Sequence, residues 1–171
     1  IDVVNEDWDN LLILDACRYD SFEEAVQIEG TLRSRRSPGS NSPEFLERTF
    51  GGQKCYDTVY VTANPHAAEH CSECFHDMIL LYTEEDWDPE LRTVPPERVA
   101  EKAKEVAEMY PHKRLLVHFM QPHFPPIGRM RKQIDIKGNV PDGLEHPDSD
   151  DISIRAKLRN NVGGVTVEMA R

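Results

Sequence analysis

The chain has 171 residues, enough for one domain with a real core, and 39% hydrophobic residues with a mean hydropathy of −0.60 fit a globular protein. Acidic residues outnumber basic ones 31 to 20, giving a formal charge of −11; that disfavours a nucleic-acid or anionic-membrane surface, which needs a basic stripe. No apolar run approaches the roughly 20 residues that cross a bilayer, and no charged-then-apolar leader opens the chain, so a cytoplasmic location is favoured.

Residues 11–14, Leu-Leu-Ile-Leu, form an apolar run that ends in Asp15, the pattern of a strand buried on both faces of a parallel sheet. Ser21 then caps an expected short helix over residues 22–28, closed by Gly30. Residues 33–42 hold three arginines, Pro38 and Gly39 and read as a loop. Ser42 as cap and Pro43 as first helical residue open a second helix, which Gly51 and Gly52 stop.

Residues 58–62 are β-branched and aromatic, a second strand that ends before Asn64 and Pro65; residues 78–82 suit a third. Pro95 and Pro96 open the clearest helix, with Val99, Ala103, Val106 and Tyr110 at helical spacing before Pro111. Residues 115–120 are a further short strand. The fold class is therefore α/β with a mainly parallel sheet, over residues 1–128. Beyond Gly128 the pattern fades: a polar loop over 138–151, a short basic helix over 152–161, and no clear element from Gly163 onward. No feature reports on oligomeric state.

Asp15, Asn64 and His123 all lie just past expected strand ends, where ligands bind in such sheets. A carboxylate at a strand tip, with Arg18 and Asp20 just after it, suits a divalent cation held in a charged surround. A serine at a helix amino terminus meets free N–H groups that stabilise an alkoxide, although an ordinary serine cap has the same sequence. His123, between Pro122 and Pro125, is restricted enough to be held towards an oxyanion. His118, inside a strand, reads as a packed histidine with a satisfied hydrogen bond. Four cysteines do not make a disulfide scaffold, but Cys71 and Cys74, flanked by His70 and His76, could form a small zinc module.

The segment Asp15-Ala16-Cys17-Arg18-Tyr19-Asp20 resembles the D-A-x-R-x-D segment that opens sulfatase-like members of the alkaline phosphatase superfamily. His118-Phe119-Met120-Gln121-Pro122-His123-Phe124-Pro125 is similar to that family's later H-x-M-x-P-H-x-P segment, and residues 39–45 stand where its nucleophile should be. The resemblance implies an alkaline-phosphatase-like fold and hydrolysis or transfer of a sulfate or phosphate ester, with glycan- and lipid-linked substrates both within its range. It implies a metal ligand at Asp15, a nucleophile at Ser42 or Ser40 with Ser42 preferred, and a substrate-facing His123. Arg18, with Asp20, would lie behind the metal. The cofactor implied is a divalent metal: calcium, magnesium or manganese on oxygen ligands, zinc if histidine joins.

Two departures accompany the likeness. Neither serine sits in the C/S-x-P-x-R pattern of formylglycine sulfatases, so an unmodified hydroxyl is expected. The late Asp-His-Gly of the family does not occur in these 171 residues, and His146 is a poor substitute. The rival expectation is therefore an inactive or truncated sulfatase-like domain without a complete metal site.

Overall fold

The apolar run after Asp9 forms β1 (Asn10–Leu14) in the computed structural model, which describes residues 2–83, 85–129 and 165–167. A short helix, α1 (Tyr19–Ala25), follows, then α2 (Ser42–Phe50), β2 (Cys55–Thr62), α3 (Ala67–Cys71), β3 (Phe75–Leu80), α4 (Pro96–Met109), β4 (Arg114–Phe119) and β5 (Val165–Val167). The sheet order is β3-β2-β4-β1-β5, with the first four strands parallel and β5 antiparallel to β1. This is the α/β class the alternation of elements predicts. Among the described residues, no helix is long and apolar enough to cross a membrane.

The two faces of the sheet can be read from strand alternation. On one face Leu11, Ile13, Tyr60 and Leu116 pack against Leu46 and Phe50 of α2 and Ala67 and Cys71 of α3. On the other, Val59, Val61, Leu115 and Val117 pack against Val99 and Val106 of α4. α1 sits over a smaller cluster in which Cys17 and Phe22 meet Leu14 and Leu32.

Several boundaries differ from expectation. α1 begins at Tyr19 rather than after Ser21, because Phe22 N–H already reaches Arg18 O, and it ends at Ala25, capped by Val26, whose N–H closes on Phe22 O. Asn41, not Ser42, is the cap of α2: its side chain accepts from Glu44 N–H at 2.9 Å, which places Ser42 at the first helical position and Pro43 at the second. The third strand lies earlier than residues 78–82, since Phe75 pairs with Cys55; Tyr82 instead packs edge-on to Trp87 at 5.1 Å. Val165–Val167 makes a strand where no element was expected, its β-branched residues pairing along the open edge of β1. The loop at 138–151, the helix at 152–161 and His146 fall outside the described residues.

Candidate active site at the carboxyl ends of the strands

Because β1, β4 and β2 run parallel, their carboxyl ends open on one edge, and register aligns them closely. Ile13 and Thr62 both pair with His118, which puts His118 between the other two strands. The ladder continues one step beyond: Asp15 N–H donates to Phe119 O at 3.0 Å and Ala63 N–H to His118 O at 3.1 Å. Ala16 then adopts a φ of 59°, in the left-handed region that costs an alanine energy, and Cys17 N–H turns back to Leu14 O. Asp15 thus stands at the apex of a tight bend.

Three side chains converge on one oxygen of Asp15. Ser42 Oγ donates to Oδ2 at 2.9 Å, and Asn64 Nδ2 donates to it at 2.9 Å. His118 Nε2 stands 3.6 Å from the same atom, an electrostatic contact rather than a direct hydrogen bond. Burial alone would raise the Asp15 pKa, but His118, His123 and Ser42 together hold it below the ordinary carboxylate value, so it is ionised at neutral pH.

Each convergent residue is itself fixed. Asn64 is fully buried and its Oδ1 accepts from His66 N–H at 2.9 Å, which orients the amide so that its NH₂ faces Asp15. His66 lies half-buried beside it; burial and His70 hold its pKa below the usual histidine value, while Glu69 and Asp15 act the other way. Ser42 is delivered by a loop folded back on α2. A Cβ on Gly39 would lie 2.3 Å from Phe45 N, so only glycine lets residues 37–40 approach the first turn this closely.

His123 follows β4 in a turn closed by its N–H to Met120 O at 2.9 Å. Its Nδ1 lies 2.7 Å from Phe124 O. A carbonyl can only accept, so Nδ1 carries the proton in this bond, which leaves Nε2 uninvolved in it. The turn lies close enough for His123 to act electrostatically on Asp15.

Of the expected site residues, the structure brings Asp15 and Ser42 into direct contact, with His123 in electrostatic range of Asp15. Ser40 points elsewhere: its hydroxyl and its N–H both donate to Glu44 Oε2 at 2.7 Å, a brace for the helix start. Arg18 and Asp20 pair with each other at 2.6 Å, with side chains 65% and 63% exposed, and Arg18 holds the Asp20 carboxyl down to about 2. The orientation of Asp15 therefore comes from Ser42, Asn64 and His118. Tyr60 and His66 are site neighbours that sequence reading missed. The signal for Tyr60 lay in alternation, since Thr58, Tyr60 and Thr62 put polar atoms at every second position of an otherwise apolar strand.

Cys71 and Cys74 are buried, and their thiols donate to Ala67 O and Phe50 O at 3.2 and 3.0 Å. Burial raises the pKa of both thiols above the ordinary cysteine value. Among the described residues, no group of three or more His, Cys, Asp or Glu is arranged to hold a metal ion.

The chemistry of Asp15 and Ser42 nevertheless fits a hard cation. Every hydrogen bond that Asp15 takes from the described side chains ends on Oδ2, and its carboxylate and the Ser42 hydroxyl are oxygen donors on one spot. Magnesium in particular binds through one or two carboxylates, keeping waters and substrate oxygens in its other positions. No family model, curated protein or solved structure matches this chain.

Proposed function

We propose that the chain is a metal-dependent hydrolase or transferase of phosphate or sulfate esters that uses Ser42 as its nucleophile. The observation that carries this reading is the 2.9 Å bond between Ser42 Oγ and the ionised, buried Asp15 at the carboxyl edge of a parallel sheet. The resemblance of residues 15–20 and 118–125 to sulfatase-like enzymes supports the same assignment.

Asp15 and Ser42 would hold the divalent cation, which when bound neutralises ester oxygens and lowers the pKa of the serine hydroxyl. Asp15 Oδ2 takes the Ser42 hydrogen and so aims an Oγ lone pair outward at the ester. Ser42 forms the new bond to phosphorus or sulfur as the ester oxygen leaves, and the serine proton ends on the departing alcohol. His123, with Nδ1 tied to Phe124 O, presents Nε2 to the transferred group or the leaving oxygen. Water or an acceptor alcohol then releases the group from Ser42.

A rapid acid quench of protein turning over a chromogenic phosphodiester or sulfate ester tests the proposal. The peptide holding Ser42 should gain the mass of one sulfuryl group, or of the phosphoryl group with its remaining alcohol when a phosphodiester is used, and Ser42→Ala should gain none. Turnover that Ser42→Ala leaves undiminished would contradict it. A second reading, an inactive or truncated sulfatase-like domain, is favoured by the lack of an Asp-His-Gly segment in these 171 residues.

A further inference from the structure

His118 is 1% exposed and Tyr60 is 0% exposed, on adjacent strands of the face that packs against α2 and α3. Their rings stack with a 13° interplanar angle and centroids 6.2 Å apart, and Tyr60 Oη lies 2.7 Å from His118 Nδ1. A histidine placed here only to fill space would leave its second nitrogen against apolar atoms, at the cost of an unsatisfied buried polar group. Instead, Nε2 points at Asp15 Oδ2 from 3.6 Å.

Of the two neutral tautomers of His118, one satisfies every atom. Burial keeps the Tyr60 hydroxyl protonated, its pKa well above the ordinary tyrosine value, so it has a hydrogen to give. If that hydrogen goes to Nδ1, the imidazole proton sits on Nε2, facing an anion. The opposite tautomer would set the Nε2 lone pair against the Asp15 carboxylate.

We propose that Tyr60 and His118 are a buried positioning pair: the Tyr60 hydroxyl donates to His118 Nδ1, and the Nε2–H so fixed holds the Asp15 carboxylate in the orientation that serves Ser42. His118 and Asn64 then both act on Asp15 Oδ2, which leaves Oδ1 for a cation. The pair makes no contact with substrate. It rests on the reading of Asp15 as the functional carboxylate, but its proton arrangement is testable without turnover.

Nitrogen NMR of histidine-labelled protein reads the tautomer directly. His118 should show a protonated Nε2 and an unprotonated Nδ1, the signals being assigned by their loss in His118→Gln. Tyr60→Phe, which keeps the ring and removes the hydroxyl, should shift both resonances, and Asp15→Asn should shift Nε2. Manganese(II) binding, followed by electron paramagnetic resonance, should weaken about 10- to 100-fold in Tyr60→Phe, the usual cost of losing a partner behind a metal ligand. Unchanged thermal unfolding would show that the fold survives.

A His118 with unprotonated Nε2, or with both nitrogens protonated, would overturn the pair. So would an Nε2 resonance indifferent to Asp15→Asn, or manganese affinity equal in wild type and Tyr60→Phe. Failure of the enzymatic reading looks different: the tautomer is as stated, yet no ester is turned over.

Discussion

Ser42 and Asp15 are 27 positions apart in the chain, yet the Ser42 hydroxyl donates to Asp15 Oδ2 across 2.9 Å. Two local devices create the contact. The left-handed turn at Ala16 halts β1 with Asp15 at its tip, and the Asn41 cap starts α2 with Ser42 in its first turn. Asn64, from the end of β2, donates to the same oxygen and ties the two together.

The two candidate serines should separate sharply on substitution. Ser42→Ala removes the proposed nucleophile and should lower ester turnover by at least about a thousandfold. Ser40→Ala loses only its bonds to Glu44 and should keep turnover within a few-fold of wild type. Steady-state kinetics on both variants decides, and equal losses would contradict the assignment.

Gly39→Ala should damage activity without touching any reacting group. The added methyl would meet Phe45 N at 2.3 Å and the backbone of Glu44 at 2.7 Å, so the loop or the helix start must move. A displacement near 1 Å is enough to cost on the order of a hundredfold in rate. Turnover equal to wild type, with an unaltered melting temperature, would show that the close approach is not needed.

Cys71 gives stability a defined response to alkali. Burial, with Cys74 and Cys55 adding to it, pushes its pKa up to about 12. An unfolded thiol titrates near about 8.5, so on raising the pH the unfolded chain loses this proton first. The contribution of Cys71 is complete below that value and is lost as the pH climbs towards the folded one. Urea midpoints measured from about pH 8 upward should fall, and Cys71→Ala should flatten part of the slope. An identical slope in the variant would count against the account.

Phe50 joins the helix that carries Ser42 to the sheet. It is 1% exposed and meets Phe75, Tyr60 and Phe45 with ring centroids 5.4, 6.0 and 6.3 Å away. Phe50→Ala should cost about 3–5 kcal/mol, as deep aromatic truncations do, read from urea unfolding. A loss below about 1 kcal/mol would mean the cavity collapses freely.

The parts of this structure legible in the sequence are those set by local pattern. The Leu-rich run before Asp15, the β-branched residues before Asn64 and the proline-opened α4 each announce an element, and the first two end at the site. Less legible was whatever depends on distant partners. Ser42 and Asn41 both suit a cap, and only the Glu44 N–H bond decides between them. α3, at five residues, carries no side-chain cap bond to signal its start, and β5 is a strand only because the edge of β1 is open to it. Tyr60 looks like any strand aromatic until register sets it against His118.

The most direct test of the central claim is metal binding and ester hydrolysis measured together for wild type and Asp15→Asn. The substitution keeps the shape of the side chain but removes the charge on which Ser42, Asn64 and His118 converge. The account predicts that wild type binds a divalent cation and turns over a phosphodiester or a sulfate ester, and that Asp15→Asn folds but loses both. A folded wild-type protein with neither bound metal nor turnover, or an Asp15→Asn variant that keeps both, would contradict it.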